Sequence, residues 1–329
     1  MRKRRIGALE VTVAGMGCSG FGDSLDAERT RRVIHAALDQ GINFFDTADY
    51  YGNPRTSSET LIGEVIESMG SRRDELVIAT KFGRVLDDRK GAANAKAAYV
   101  KAATEASLRR LRTDWIDLMQ IHIPDPGTPI DETLGALSDL IAEGKIREIG
   151  ASQFSVAQLR EAAGAANSKG TPGFASTQAE YSVLNREAET DVLAECARNG
   201  MVFLPFFPLY GGLLTGKYRA GAPLPAGSRM AGKTDKLRAA LFSERNMAIV
   251  TALTEYAEQR GHTLLELGYA WLLSHPVIPS VIAGATTPEQ VAANVAATNW
   301  KLTAAERADI DRIAPLTPGH GLRTLSLAN

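Results

Sequence analysis

Short apolar, β-branched runs alternate with longer helical patterns along this chain, and that alternation limits the folds open to it more than any other feature. An opening hairpin is expected over Arg4–Val13. Strand candidates then follow at Gly15–Cys18, Asn43–Asp46, Leu76–Thr80, Trp115–His122, Ile146–Ser152, Ala175–Glu180, Val202–Pro205 and Val277–Ala283. Helical patterns fill the gaps: Ala27–Gln40 between an Asp26 cap and Gly41, then Ser57–Ser68, Tyr99–Leu111, Asp131–Glu143, Val156–Ala166, Glu187–Asn199 and Pro288–Thr298. Eight strands alternating with helices predict a (β/α)8 TIM barrel. The expected layout is one barrel domain over 1–329, with a hairpin cap at 1–14, a long loop at 206–240 and a tail at 315–329. The rival, a doubly wound open sheet, needs a Gly-x-Gly-x-x-Gly turn opening a helix after its first strand. Here Gly15-Met16-Gly17-Cys18-Ser19-Gly20 runs into Phe21-Gly22-Asp23, which is no helix start.

Composition narrows the function classes. A net charge of −1 gives no field that gathers nucleic acid or a membrane surface. The basic start, Arg2 to Arg5, has no apolar stretch behind it, so it reads as a solvated first strand and not a signal peptide. No apolar run reaches the roughly 18 residues of a membrane span. Two cysteines, Cys18 and Cys196, make no disulfide framework, which points to a reducing cytoplasm. No His/Cys/Asp/Glu cluster has metal-ligand spacing, so no metal is expected.

The polar residues gather where strands end. The second barrel strand ends in Asp46, with Tyr50, Tyr51 and Gly52 in its loop; the third ends in Lys81 and the fourth in His122. In a barrel these ends are neighbours on the C-terminal face, where active sites lie. A phenol is a poor acid at neutral pH, but a nearby ammonium favours its ionised form and lowers its pKa. A carboxylate holds that ammonium in place, and a neutral imidazole orients a carbonyl oxygen. The set suits protonation of an oxygen on a carbon that is being reduced, and it lacks only a source of hydride.

Phe45-Asp46-Thr47-Ala48-Asp49-Tyr50-Tyr51-Gly52, followed by Ser58-Glu59-Thr60-Leu61-Ile62-Gly63, resembles the signature of aldo-keto reductases. Similar stretches are Ile78–Gly83, Ile116–His122, Gly144–Ser152 and Gln178–Ser182. The likeness runs from the hairpin to about Asp311 and is greatest to the bacterial branch that includes potassium-channel β subunits. It implies a catalytic tetrad of Asp46, Tyr51, Lys81 and His122, with Tyr51 as proton donor. It also implies an extended nicotinamide cofactor, NADP(H) more than NAD(H), held without a Rossmann domain.

The resemblance assigns Ser152 and Gln178 to the nicotinamide carboxamide, as well as Gln153, where the family usually has Asn. Phe206, Phe207, Pro208, Leu209, Gly211 and Lys217 lie in what resembles the loop over the pyrophosphate, Phe207 replacing the usual Ser. Arg229 falls where the family reaches the adenosine end. Gly284, Thr286, Gln290 and Asn294 match the adenosine-phosphate motif, and Gln290 and Asn294, four apart, share a helix face. Many NADPH-selective relatives carry an Arg near Thr286 or Thr287; this chain has none there.

The expected function is therefore reduction of aldehydes or ketones to alcohols on a small-molecule substrate, with no nucleic-acid or membrane partner. Three alternatives stand beside it: a nicotinamide-binding regulatory subunit with incidental turnover, an NAD-dependent sugar or alcohol dehydrogenase of the same fold, and a phosphate-binding barrel isomerase or hydrolase. The last leaves Tyr51 and the cofactor loops unexplained. Pocket walls are expected near Phe21, 82–94, 123–127 and after Pro315.

Overall fold

The computed structural model describes residues 1–86, 92–219, 222–225, 228, 230–232 and 234–317. Strands β1 (Lys3–Ile6) and β2 (Leu9–Thr12) pair antiparallel as the expected hairpin. Eight strands follow in one parallel sheet: β3 (Ala14–Gly17), β4 (Phe44–Asp46), β5 (Val77–Phe82), β6 (Ile116–Ile121), β7 (Ile146–Ser152), β8 (Ser176–Glu180), β9 (Val202–Phe206) and β10 (Val281–Ala283). Their spatial order is β10-β3-β4-β5-β6-β7-β8-β9. β9 lies against β10, so the sheet curls into a nearly closed (β/α)8 barrel.

Residue alternation along each strand divides the apolar side chains between two cores. Phe44, Val77, Ala79, Leu118, Leu204 and Ile282 face inward and meet Ile6, Leu9 and Val11 of the hairpin. The hairpin thus plugs the N-terminal end of the barrel with side chains. Phe45, Ile78, Phe82, Met119 and Ile121 face outward and pack under the helices. Arg4 fastens the plug by donating to the backbone oxygens of Leu273 at 2.7 Å and Ile278 at 2.5 Å.

The helices are α1 (Ala27–Asp39), α2 (Ser57–Met69), α3 (Ala97–Leu111), α4 (Ile130–Ala142), α5 (Val156–Lys169), α6 (Val192–Arg198), α7 (Asp235–Leu241), α8 (Glu244–Glu258), α9 (Leu264–Leu273), α10 (Pro288–Ala296) and α11 (Ala304–Ile313). Asp26 caps α1 by accepting from Arg29 N at 2.8 Å, and Ser155 with Gln158 closes a capping box on α5.

Two expected elements are corrected. The helix anticipated over Glu187–Asn199 is a single 3-10 turn, Glu187–Glu189, followed by α6. Glu189 turns inward to accept from Arg186 and Tyr181, and Asp191 takes a non-helical φ of −156°. The last strand is Val281–Ala283, not Val277–Ala283, because Pro279 removes a ladder donor just ahead of it. The loop at 206–240 contains a 3-10 turn, Tyr210–Thr215, and α7.

Candidate active site

The loop after β4 continues the strand's pairing beyond its end. Thr47 N donates to Ala79 O at 2.8 Å and Asp49 N to Lys81 O at 3.1 Å, so the loop climbs along β5. Tyr51 is then clamped to the start of α2, where Ser58 N donates to its carbonyl. Gly52 follows with φ +99°, and a Cβ there would collide with Ser57 Oγ. A glycine is therefore required directly after Tyr51.

This path brings Tyr51 to Lys81. The Lys81 ammonium, 1% exposed, donates to Asp46 Oδ2 at 2.6 Å, to Thr47 O at 2.9 Å and to the Tyr51 hydroxyl at 3.4 Å. All three of its protons are thus directed, which is how a buried ammonium is tolerated. Burial alone lowers the Lys81 pKa, but Asp46 and Tyr51 outweigh it and hold the ammonium above its ordinary value. Asp46 is 4% exposed, and its other oxygen accepts from Gln120 Nε2 and Gln178 Nε2, both at 3.0 Å. The His122 ring stands edge-on to Tyr51, centroids 5.7 Å apart at 90°, and edge-on to Tyr50 at 6.2 Å. The structure therefore gathers the four tetrad candidates.

One electrostatic expectation is reversed. Burial raises the Tyr51 phenol above its ordinary value by more than Lys81 pulls it down, and Asp46 adds to the rise. The ammonium acts in the expected direction, but desolvation is the larger effect. The Tyr51 hydroxyl consequently keeps its proton at neutral pH.

Around this centre, Ser152 ends β7 and pairs in register with Gln178, in the middle of β8, and both are buried. Gln178 Nε2 also reaches Gln120 Oε1 at 3.2 Å; none of these bonds uses Gln178 Oε1. Gln153 adopts φ +66° and donates from Nε2 to His122 O at 2.9 Å, tying the β7 loop to the end of β6.

Phe206 and Phe207 pack edge to face at 5.4 Å, both half-buried, with Pro208 and Leu209 buried behind them. Phe207, Tyr210, Gly211 and Gly212 all have positive φ, which coils this stretch tightly. Lys217 is exposed, its ammonium 5.1 Å from the Tyr218 ring. Beyond β10, Gly284 is exposed and Thr287 caps α10 by accepting from Gln290 N. Gln290 Oε1 in return accepts from Thr286 N at 2.8 Å and Thr286 Oγ1 at 3.1 Å. Asn294 lies buried one turn on. Arg229 lies outside the described residues, as do parts of the expected pocket walls at 82–94 and after Pro315.

Sequence reasoning passed over Gln120 and Asp49. Gln120 is fully buried and bridges Asp46 to Gln178; the alternation Leu118-Gln120-His122 along β6 was the signal for it. Asp49 is 1% exposed, and burial, with Glu59 nearby, raises its pKa well above the carboxylate range. Glu59 is itself buried on α2, accepting from Thr80 Oγ1 at 2.5 Å and Arg110 Nε at 2.6 Å. Among the described residues no group of three His, Cys, Asp or Glu could hold a metal ion, and no helix is long and apolar enough to cross a membrane.

Comparison with known proteins agrees with this architecture. The aldo/keto reductase family model matches residues 14–315. A probable voltage-gated potassium channel subunit beta from Arabidopsis thaliana is 36% identical over 281 residues, 84% of each chain. L-glyceraldehyde 3-phosphate reductase of Escherichia coli K12 is 32% identical over 298 residues, 89% of this chain and 85% of the relative. Aldo-keto reductase YhdN of Bacillus subtilis is 33% identical over 310 residues, 93% of this chain and 90% of the relative. With its barrel, its hairpin plug and a family match that spans both ends of the sheet, the chain belongs to the aldo/keto reductase family.

Proposed function

We propose that this chain is an oxidoreductase that reduces aldehydes or ketones to alcohols with NADPH, Tyr51 giving the proton. One observation carries the reading: the buried Lys81–Asp46 pair sets its ammonium 3.4 Å from the Tyr51 hydroxyl, beside the edge-on His122 ring. Tyr51 donates its proton to the carbonyl oxygen, and Lys81 stabilises the phenolate left behind. Asp46 keeps Lys81 charged and aimed. His122 holds the carbonyl oxygen against Tyr51. The cofactor, when bound, supplies the hydride that no side chain can.

The residues present fit such a group. Ser152 and Gln178 offer a hydroxyl and an amide oxygen side by side, the pairing a carboxamide needs, and Gln153 adds a third polar end. Phe206, Phe207, Pro208, Leu209, Gly211 and Lys217 form an aromatic and basic wall for the pyrophosphate. Gly284, Thr286 and Gln290 lie at the N-terminal end of α10, which favours a phosphate, and Asn294 lies one turn further along the helix. NADP(H) is proposed over NAD(H) on the family's general habit; Arg229, the cation the sequence resemblance offers for the adenosine end, lies outside the described residues.

The test is oxidation of NADPH and NADH at 340 nm with a panel of aldehydes, for the wild type and Tyr51→Phe. The reading expects kcat to fall about 10²- to 10⁴-fold in the variant while cofactor binding persists. Absence of cofactor binding in the wild type would sink it. The relatives named as channel β subunits motivate a second reading, a cofactor-retaining regulatory subunit. Tight cofactor binding with no turnover on any aldehyde selects that one.

A further inference from the structure

Two arginines stand beside this site without an acidic partner among the described residues. Arg55 lies in the loop between Tyr51 and α2, its guanidinium carbon 3.4 Å from the Tyr50 ring centroid. Arg84 follows β5, its guanidinium carbon 5.1 Å from the same centroid. Tyr50 is in turn 6.2 Å from His122. Both arginines are held by local backbone. Asn53 N donates to Gly22 O and Ser57 N to Pro54 O around Arg55, while Arg84 bridges Ala93 and its carbonyl accepts from Tyr99 Oη at 3.1 Å.

Arg55 Nη1 and Arg84 Nε are buried and have no hydrogen-bond partner among the described residues. A buried guanidinium N–H left unbonded is costly, and natural chains satisfy nearly all of them. Neither side chain enters an ion pair among the described residues; Asp23 and Asp26 share a cleft with Arg55, yet Asp26 is engaged in capping α1. Asp49 is the carboxyl both arginines feel, but it makes no hydrogen bond or ion pair with either among the described residues, and burial raises its pKa above the ordinary value. A guanidinium that uses its face on an aromatic ring keeps its in-plane donors for an oxyanion.

We propose that Arg55 and Arg84 form an anion-binding subsite flanking Tyr50, which selects carbonyl substrates carrying a carboxylate or phosphate group. His122 and both guanidiniums flank the one Tyr50 ring, so a carbonyl at His122 and an anion at the arginines belong to one small substrate. The subsite belongs to the loops after β4 and β5, away from the β9 and β10 loops assigned to the cofactor, so it serves the substrate.

The inference rests on the proposed carbonyl reduction, and its test separates the two. Values of kcat/KM are compared for matched pairs, succinic semialdehyde against butanal and glyceraldehyde 3-phosphate against glyceraldehyde, in the wild type, R55Q, R84Q and R84K. The readout is the charged-to-neutral ratio, from which a shared loss through misfolding or weakened cofactor binding cancels. The wild type is expected to favour the anionic member about 10- to 100-fold, with most of that ratio lost in each Gln variant and part of it kept in R84K. The pair with the larger ratio identifies the carboxylate or the phosphate as the anion read. A wild-type ratio near one, or a ratio that survives both Gln substitutions, overturns the subsite. If no aldehyde turns over at all, the proposed reduction fails, and calorimetry with succinate and inorganic phosphate then decides: binding lost in R55Q and R84Q keeps the subsite, and no binding to the wild type ends it.

Discussion

At the residue scale, the site depends on one buried ion pair whose worth lies in position more than in stability. Lys81→Met leaves the Asp46 carboxylate with only amide donors, Gln120 and Gln178, and an uncompensated buried charge. The expected loss is about 3–5 kcal/mol in urea unfolding, and pairing it with Asp46→Asn should recover much of that loss. Since Tyr51 and Lys81 both titrate above their ordinary values, neither loses its proton below about pH 10. A general acid fails as pH rises past its own pKa, so neither residue should bend the reductive kcat/KM profile between pH 7 and 9. A fall in that range traced to Tyr51 would mean the phenol is tuned downward. The meeting of Asp46, Tyr51, Lys81 and His122 was legible because each lies at a strand's C-terminal end or in the loop after it. The direction of the Tyr51 shift was not, because it comes from desolvation by groups distant in sequence.

Elements were legible where one face of the pattern is apolar. β5 alternates strictly between the inner and outer cores, and α2 carries Leu61, Ile62, Val65 and Ile66 on its buried side. α7, α8, α9 and α11 were passed over, α8 in spite of the buried face of Ile249, Val250, Leu253 and Tyr256; α9, Leu264–Leu273, is buried on nearly every side and shows no polar stripe to mark a period. Sequence pattern also hides close approaches. A Cβ on Gly63 would overlap the backbone oxygen of Arg110, where α2 meets α3. Gly63→Ala gains helix propensity but must push the helices apart, so we expect a net destabilisation of about 1–3 kcal/mol by denaturant titration. That shift should also loosen Glu59 from Arg110. A variant as stable as the wild type would show that α3 moves freely.

For the whole molecule, the barrel's last third is fastened by a polar cluster that shares no residue with the candidate tetrad. Tyr181 donates to Glu189 at 2.7 Å, and its oxygen lies 3.1 Å from His275 Nε2. Arg186 grips Glu189, Asp311 and the carbonyl of Ala314, joining the β8 loop to α11. Arg307 Nη2 lies 3.4 Å from both ring nitrogens of His275; because Tyr181 gives its one proton to Glu189, its oxygen accepts from Nε2–H, which leaves Nδ1 as the ring's acceptor. Burial first, then Arg307 and Arg186, lower His275 to about 4, against the opposing pull of Glu189 and Asp311. Between an ordinary histidine pKa of 6.5 and about 4 the unfolded chain binds a proton that the folded one refuses. Stability should therefore be fully present above pH 6.5 and fall by up to about 3 kcal/mol as pH drops through that window. Glu189 sits below its ordinary value, burial opposing and Arg186 and Tyr181 prevailing, so it adds a second loss under about pH 4.5. Thermal unfolding at pH 8, 6.5, 5 and 4 is the measurement, with His275→Asn beside the wild type. The variant should start lower at pH 8 and decline less steeply to pH 5, since its unfolded chain has no proton to gain at that position. Parallel curves would move the acid sensitivity to another histidine and leave this cluster a fastening without a pH response.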